Sequence, residues 1–244
     1  MRSRSYTLAI ALVASLVTPA SGAGPAWALA PTIPVVVAQY TFDGHLGTML
    51  DDTGKGHTMT LVTSHGGGLR TVAHGAGEGV AFPAKCPSKR QCPHAVLQSP
   101  DSADLSPGVR PLAYGAAVRL APDQTTKGQN VLQKGYSATS SQYKLQVDGA
   151  AGRPSCVLVD DKRPTIKLVR SAITVADGVW HTVECSRSAD VMIILVDGVI
   201  RGTLRIPATL SVTNTSPLSI GGKGTSRDND QFQGAVDDVW VRIG

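Results

Sequence analysis

The chain has 244 residues, 42% hydrophobic and only 17% charged, with 26 Gly and 15 Pro. That balance excludes a disordered tail, which needs more charge and fewer apolar residues. Glycine without a three-residue period excludes collagen, no sustained heptad supports a coiled coil, and a net charge of +5 is too diffuse for a nucleic-acid-binding stripe.

Arg2 and Arg4 precede an apolar stretch from Thr7 to Val17, then small residues with Pro19 and Pro25. The stretch is short for a bilayer span of ~20 residues and suits a signal-peptide core. Ala26-Trp27-Ala28 fits cleavage after Ala28, with Ala23 and Ala30 as other choices. The reading is a signal peptide over 1–28, a short segment over 29–34 and one domain over 35–244. Removing Arg2 and Arg4 lowers the net charge from +5 to +3. No later apolar run reaches spanning length, so the mature chain is expected to be secreted, extracellular and free of a membrane span.

From residue 35 onward short β-rich runs recur between Gly, Pro, Asp and Ser, and no helical period persists. The runs are Val35–Phe42, Thr58–Val62, Gly79–Phe82, Ala95–Gln98, Leu112–Leu120, Asn130–Lys134, Gln142–Val147, Ser155–Asp160, Thr165–Val169, Val179–Arg187, Val191–Val196, Val199–Leu204, Pro217–Ile220 and Gly234–Ile243. Asp148-Gly149, Asp177-Gly178 and Asp197-Gly198 carry tight-turn chemistry. This spacing predicts an all-β, two-sheet antiparallel β-sandwich.

The four cysteines, Cys86, Cys92, Cys156 and Cys185, are even in number in a chain read as exported, which predicts two disulfides in one of three connectivities. Cys86 and Cys92 bracket a short polar loop, so a local staple is the economical choice. Cys156 would then pair with Cys185 and tie neighbouring strands. A zinc site is excluded by the absence of CxxC spacing.

Tyr40-Thr41-Phe42-Asp43, Asp52-Thr53-Gly54-Lys55-Gly56-His57, Asp177-Gly178-Val179-Trp180-His181-Thr182-Val183, Leu195-Val196-Asp197-Gly198, Pro217-Leu218-Ser219-Ile220-Gly221-Gly222 and Phe232-Gln233-Gly234-Ala235-Val236-Asp237-Asp238-Val239 stand in this order. The ordered set resembles the laminin-G-like, concanavalin A-like jelly rolls of the lectin-glucanase type. Cys156 and Cys185 look like the paired cysteines of secreted actinobacterial members. The resemblance implies a jelly roll, which hosts lectins, adhesion modules and glycanases alike.

The glucanases of that fold use Glu-x-Asp-x-(x)-Glu on one strand. Here the only glutamates are Glu78 and Glu184, and neither has an acid two or four residues away. The expectation is therefore no enzyme: a non-catalytic recognition module that binds glycan or an extracellular protein. A glycan hydrolase or lyase with an atypical acid pair is the competing reading, and a purely structural domain the third. Nine aromatic residues remain after signal removal, of which Tyr136 and Trp240 are the best stacking candidates, with the loop 222–230 offering polar partners. His181 is expected to pack or hydrogen-bond within the sandwich.

Relatives of this fold often place a structural calcium ion where the first and last strands meet at a sandwich end. Taking Ala235, Val239, Val241 and Ile243 as the inward face turns Asp237 inward and Asp238, Trp240 and Arg242 outward. Asp237, Asp43 and Asp51 are then the candidate calcium ligands; alternatively Asp237 accepts backbone N–H bonds from the Gly54-Lys55-Gly56 turn.

Overall fold

Among the described residues, alternating apolar residues bounded by turn residues build fifteen strands: β1 (Val35–Tyr40), β2 (Thr60–Ser64), β3 (Arg70–His74), β4 (Gly77–Ala81), β5 (His94–Ser99), β6 (Leu112–Arg119), β7 (Gly128–Gly135), β8 (Gln142–Asp148), β9 (Arg153–Val159), β10 (Ile166–Arg170), β11 (Trp180–Ser188), β12 (Val191–Val196), β13 (Val199–Arg205), β14 (Leu218–Ile220) and β15 (Ala235–Ile243). The structure, a computed structural model, describes residues 34–44, 49–87 and 91–244. The signal-peptide reading of 1–28 and nearly all of the segment 29–34 lie outside the described residues.

Two antiparallel sheets result. The first runs β13-β12-β11-β6-β15-β4-β3, with β1 also paired to β15, and the second runs β10-β9-β8-β7-β14-β5-β2. Their inner faces share one core that includes Leu97, Tyr114, Val118, Leu132, Tyr143, Leu145, Leu158 and Phe232. The rings of Tyr114 and Tyr143, one from each sheet, sit 5.2 Å apart. Tyr114 Oη donates across the core to the carbonyls of Lys144 and Val157 at 3.2 and 3.3 Å. Burial pushes this phenol well above its ordinary pKa, so it stays a donor.

Both anticipated disulfides are present. Cys156 lies on β9 and Cys185 on β11, which belong to different sheets. The bond therefore crosses the core and pins sheet to sheet, rather than tying neighbouring strands as the sequence suggests. The Asp-Gly turns behave as expected: Gly149, Gly178 and Gly198 hold φ of 67°, 88° and 73°, where a side chain is strained.

Strand β3 has no counterpart among the runs legible in the sequence. Arg70-Thr71-Val72-Ala73-His74 carries a single branched apolar residue and lies half exposed at the sheet edge, so it has little burial to write into its sequence. Its hairpin with β4 pairs Arg70 to Ala81 and His74 to Gly77.

A second departure concerns β15. Its pairing with β6 shifts between Asp237 and Trp240, and Asp238 has a φ of 46°. This bulge puts two residues where strict alternation allows one. Val236 and Val239 both reach the core, while Asp237 pairs with Ala117 and Trp240 with Gly115, on the outer face. The inward orientation expected for Asp237 is thereby corrected.

Candidate functional site

The register of the first sheet places five residues in one cross-strand row. Arg70 pairs with Ala81, Ala81 with Ala235, Ala235 with Arg119, and Arg119 with Trp180. The alternate positions Val80, Val118 and Val236 are in the core, so this row faces outward. Two small side chains thus separate two arginines, with a tryptophan at one end. All five lie at strand ends, on one rim of the sandwich.

A cleft of about 290 Å³ opens over the part of this row from Arg70 to Arg119, lined by Arg70, Val72, Ala81, Arg119, Gln124, Gln233 and Ala235 among others. A second lobe of about 340 Å³ adjoins it and shares Ala84 and Gln233. Its walls include Cys86 and Cys92, His94 at the start of β5, Lys127, and the segment Arg227–Gln231. Four turn segments at one end of the sandwich therefore frame a two-lobed cleft.

The chemistry of the cleft is polar and incompletely satisfied. Gln233 Oε1 and His94 Nδ1 are buried and have no hydrogen-bond partner among the described residues. His94 is only 7% exposed, and burial, with the neighbouring His65, holds its pKa below the ordinary 6.5. It is a neutral imidazole at neutral pH. Gln231 is fully committed, its Nε2 donating to the carbonyls of Ala95 and Gly221 at 2.9 and 2.8 Å. Asp230 pairs with Lys223 Nζ at 2.5 Å.

Beside the row, Trp180 lies over Gly79, whose hypothetical Cβ would stand 3.2 Å from the indole. The Arg119 guanidinium sits 5.0 Å from the Trp180 ring centre, and the His74 ring is 4.2 Å away. His74 Nδ1 and Asp237 Oδ2 are 2.6 Å apart. Desolvation raises the Asp237 pKa above its ordinary value, and the bond to His74 only partly opposes this. Sequence spacing marks neither His74 nor Trp180 as a site residue; a hairpin strand and a bulge bring them beside Asp237.

The three carboxylates expected to bind calcium do not converge. Asp51 Oδ1 accepts from Gln39 N and Thr53 N, and its Oδ2 from Thr53 Oγ1 and His57 N, at 2.7 to 3.3 Å. Its lone pairs are taken by donors that fold its own loop. Asp43 accepts from Glu78 N at 2.8 Å. Asp237 accepts from its neighbour Asp238 N at 2.7 Å and contacts His74, so it does not cap the Gly54-Lys55-Gly56 turn either. Among the described residues, the group with metal-ligand proximity is His74, Asp237 and Asp238, and an imidazole already bonded to a carboxylate suits calcium poorly.

Tyr136 and Trp240 are likewise on different surfaces. Tyr136 follows β7 of the second sheet and donates its hydroxyl to Lys223 O at 3.0 Å, fastening the loop 222–230. Trp240 is outward on the first sheet, as expected, but it lies on Gly115 and the Arg242 guanidinium covers it at 4.3 Å. A cleft of about 140 Å³ beside it is lined by Thr182, Glu184, Leu195 and Asp238 among others. Burial raises the Glu184 pKa, against the pull of Arg242. His181 bonds Asp197 at 2.8 Å and Asp177 at 3.1 Å, joining two Asp-Gly turns.

Comparison with known proteins matches residues 97–242 to the family described as the concanavalin A-like lectin/glucanases superfamily. No curated protein matches the sequence. Among solved structures, the fourth domain of AbnA, an extracellular arabinanase of Geobacillus stearothermophilus solved with arabinotriose, is similar at a TM-score of 0.66. It shares 16% identity over 86% of this chain and 93% of its own. The binding domain of Paraclostridial Mosquitocidal Protein 1 is similar at 0.62, with 11% identity over 84% of this chain and 48% of that one. The binding domain of botulinum neurotoxin DC, solved with SialylT, is similar at 0.59 and 8% identity, over 84% and 47%. The chain spans about half the length of the toxin binding domains, and at these identities the likeness is one of fold. Among the described residues, no helix is long and apolar enough to cross a membrane.

Proposed function

The chain belongs to the concanavalin A-like lectin/glucanase superfamily, and from that premise we propose that it is a secreted, non-catalytic recognition module whose two-lobed cleft binds an oligosaccharide. One observation carries the reading: the two lobes are joined at Gln233 into one polar-lined cleft, and beneath its surface Gln233 Oε1 and His94 Nδ1 lie buried with no partner among the described residues. A buried polar atom without a partner costs about 1–3 kcal/mol, so a side chain that turns toward the cleft to meet a sugar hydroxyl, donor and acceptor at once, sheds a cost it bears in the free protein. Arginine forks and the apolar surface of Val72, Ala81 and Ala235 in the lining supply the planar polar and apolar contacts that sugars use.

A non-catalytic role is supported by the acids of the cleft. Asp230 is engaged by Lys223, which leaves Asp228 in the lining where glycoside hydrolysis uses a cooperating pair. The solved AbnA domain bound to arabinotriose and the toxin binding domain bound to SialylT are fold relatives, which agrees with saccharide binding. Two disulfides agree with an oxidising, extracellular compartment.

A glycan array on purified protein, with and without calcium, tests the proposal. Binding that is weakened by His94→Ala and Gln233→Ala is the expected result. Release of products from a polysaccharide panel would establish the hydrolase or lyase alternative, and silence on the array would refute glycan recognition.

A further inference from the structure

Arg70 and Arg119 line the smaller lobe, and neither has an acidic or hydrogen-bonding side-chain partner among the described residues, although acids elsewhere on the surface are widely engaged. His57, His74, Lys134, Arg170, His181, Arg205 and Lys223 all face carboxylates. The two arginines stand three strands apart on one row, about 14 Å between backbones at ordinary strand spacing. Ala81 and Ala235 between them keep the floor low. Two forks thus border a shallow apolar floor with no counter-charge.

From this arrangement we propose that the smaller lobe takes an acidic oligosaccharide, with carboxylates met by Arg70 at one end of the floor and by Arg119 at the other, and a sugar hydroxyl met by Gln233. The inference rests on the glycan-binding reading and names the chemical class of its ligand. A guanidinium presents N–H donors in a planar fork that matches a carboxylate and stays charged at every working pH. Arg119 is held over Trp180, a contact made through the faces of the two groups that leaves the edge donors available. The smaller lobe is lined by charge of one sign, and a concave surface of that kind with low-dielectric walls concentrates anions. The Gln233 amide offers an acceptor oxygen, unpartnered among the described residues, as well as N–H donors, so guanidinium forks beside it describe a ligand that is both acid and polyol.

The test measures binding of uronate trimers and a sialylated trisaccharide to the purified protein, in parallel with their carboxyl-reduced forms. Wild type should bind at least one carboxylated sugar, with the reduced form weaker by about tenfold or more, the size expected when charged hydrogen bonds are lost. Arg70→Gln should weaken the acid form to a similar degree and leave the reduced form unchanged. Because Arg70 is on an exposed edge strand, this variant reports even if Arg119→Gln, which also loses its indole contact, folds poorly. Arg242→Gln removes the same charge outside the cleft and should have no effect. Equal binding of acid and reduced sugars, or acid binding indifferent to Arg70→Gln, overturns the carboxylate assignment and leaves glycan recognition standing. Binding to no sugar, acidic or neutral, overturns both.

Discussion

The Cys156–Cys185 bond is the only disulfide between the sheets among the described residues, and its removal gives the sharpest test of the architecture. With a sequence separation of 29, the chain-entropy relation assigns it about 3.6 kcal/mol of stabilisation, acting on the unfolded chain. The Cys86–Cys92 staple, with a separation of 6, is worth about 2.2 kcal/mol on the same relation. Both thiols of the inter-sheet pair would remain buried, since Cys156 and Cys185 are 0% and 1% exposed, and serine at either site would add an unsatisfied hydroxyl. Alanine pairs are therefore the cleaner substitutions. Urea unfolding of C156A/C185A and C86A/C92A should show the former losing more free energy, by at least the ~1.4 kcal/mol separating the two entropic terms, plus a cavity contribution. Equal losses, or a larger loss for the local staple, would refute the view that the long loop and the sheet-to-sheet position govern stability.

Three further outcomes are expected. The raised pKa of His181, where bonds to Asp197 and Asp177 outweigh desolvation, means its contribution is full below the ordinary 6.5 and is lost as pH rises through the folded value. Its partners Asp177 and Asp197, lowered from 3.8, lose theirs as pH falls below that value, so thermal melts of wild type against His181→Gln should differ most between about pH 4 and 6.5. Gly115→Ala would bring a Cβ to 2.7 Å from Val183 O and 3.0 Å from the Trp240 ring; a loss of about 1–3 kcal/mol is expected from overpacking, with a change in tryptophan fluorescence. Lys134→Met removes a buried ammonium that donates to Asp101 at 2.5 Å, Asn214 O at 2.9 Å and Ser216 O at 2.8 Å, and chemical denaturation should register a loss of about 1.5–3 kcal/mol.

Several of these features are legible in the amino-acid order alone. Alternation such as Tyr143, Leu145 and Val147 against Lys144, Gln146 and Asp148 fixes a strand, because one face must leave water and the other need not. Asp-Gly pairs fix turns because glycine alone enters positive φ without strain. Those two local rules carry the strands other than β3, the sandwich and its order of motifs, and loop length favours the staple of Cys86 with Cys92. What local rules cannot carry is any arrangement made by partners distant in the chain. The bulge at Asp238 reverses the orientation that alternation assigns to Asp237, and Lys134 is tolerated in the interior only because Asp101, Asn214 and Ser216 meet it there. The row Arg70, Ala81, Ala235, Arg119 and Trp180 joins residues from five strands. Its register follows from backbone pairing across the sheet, and no spacing within the sequence encodes which arginines will share one floor.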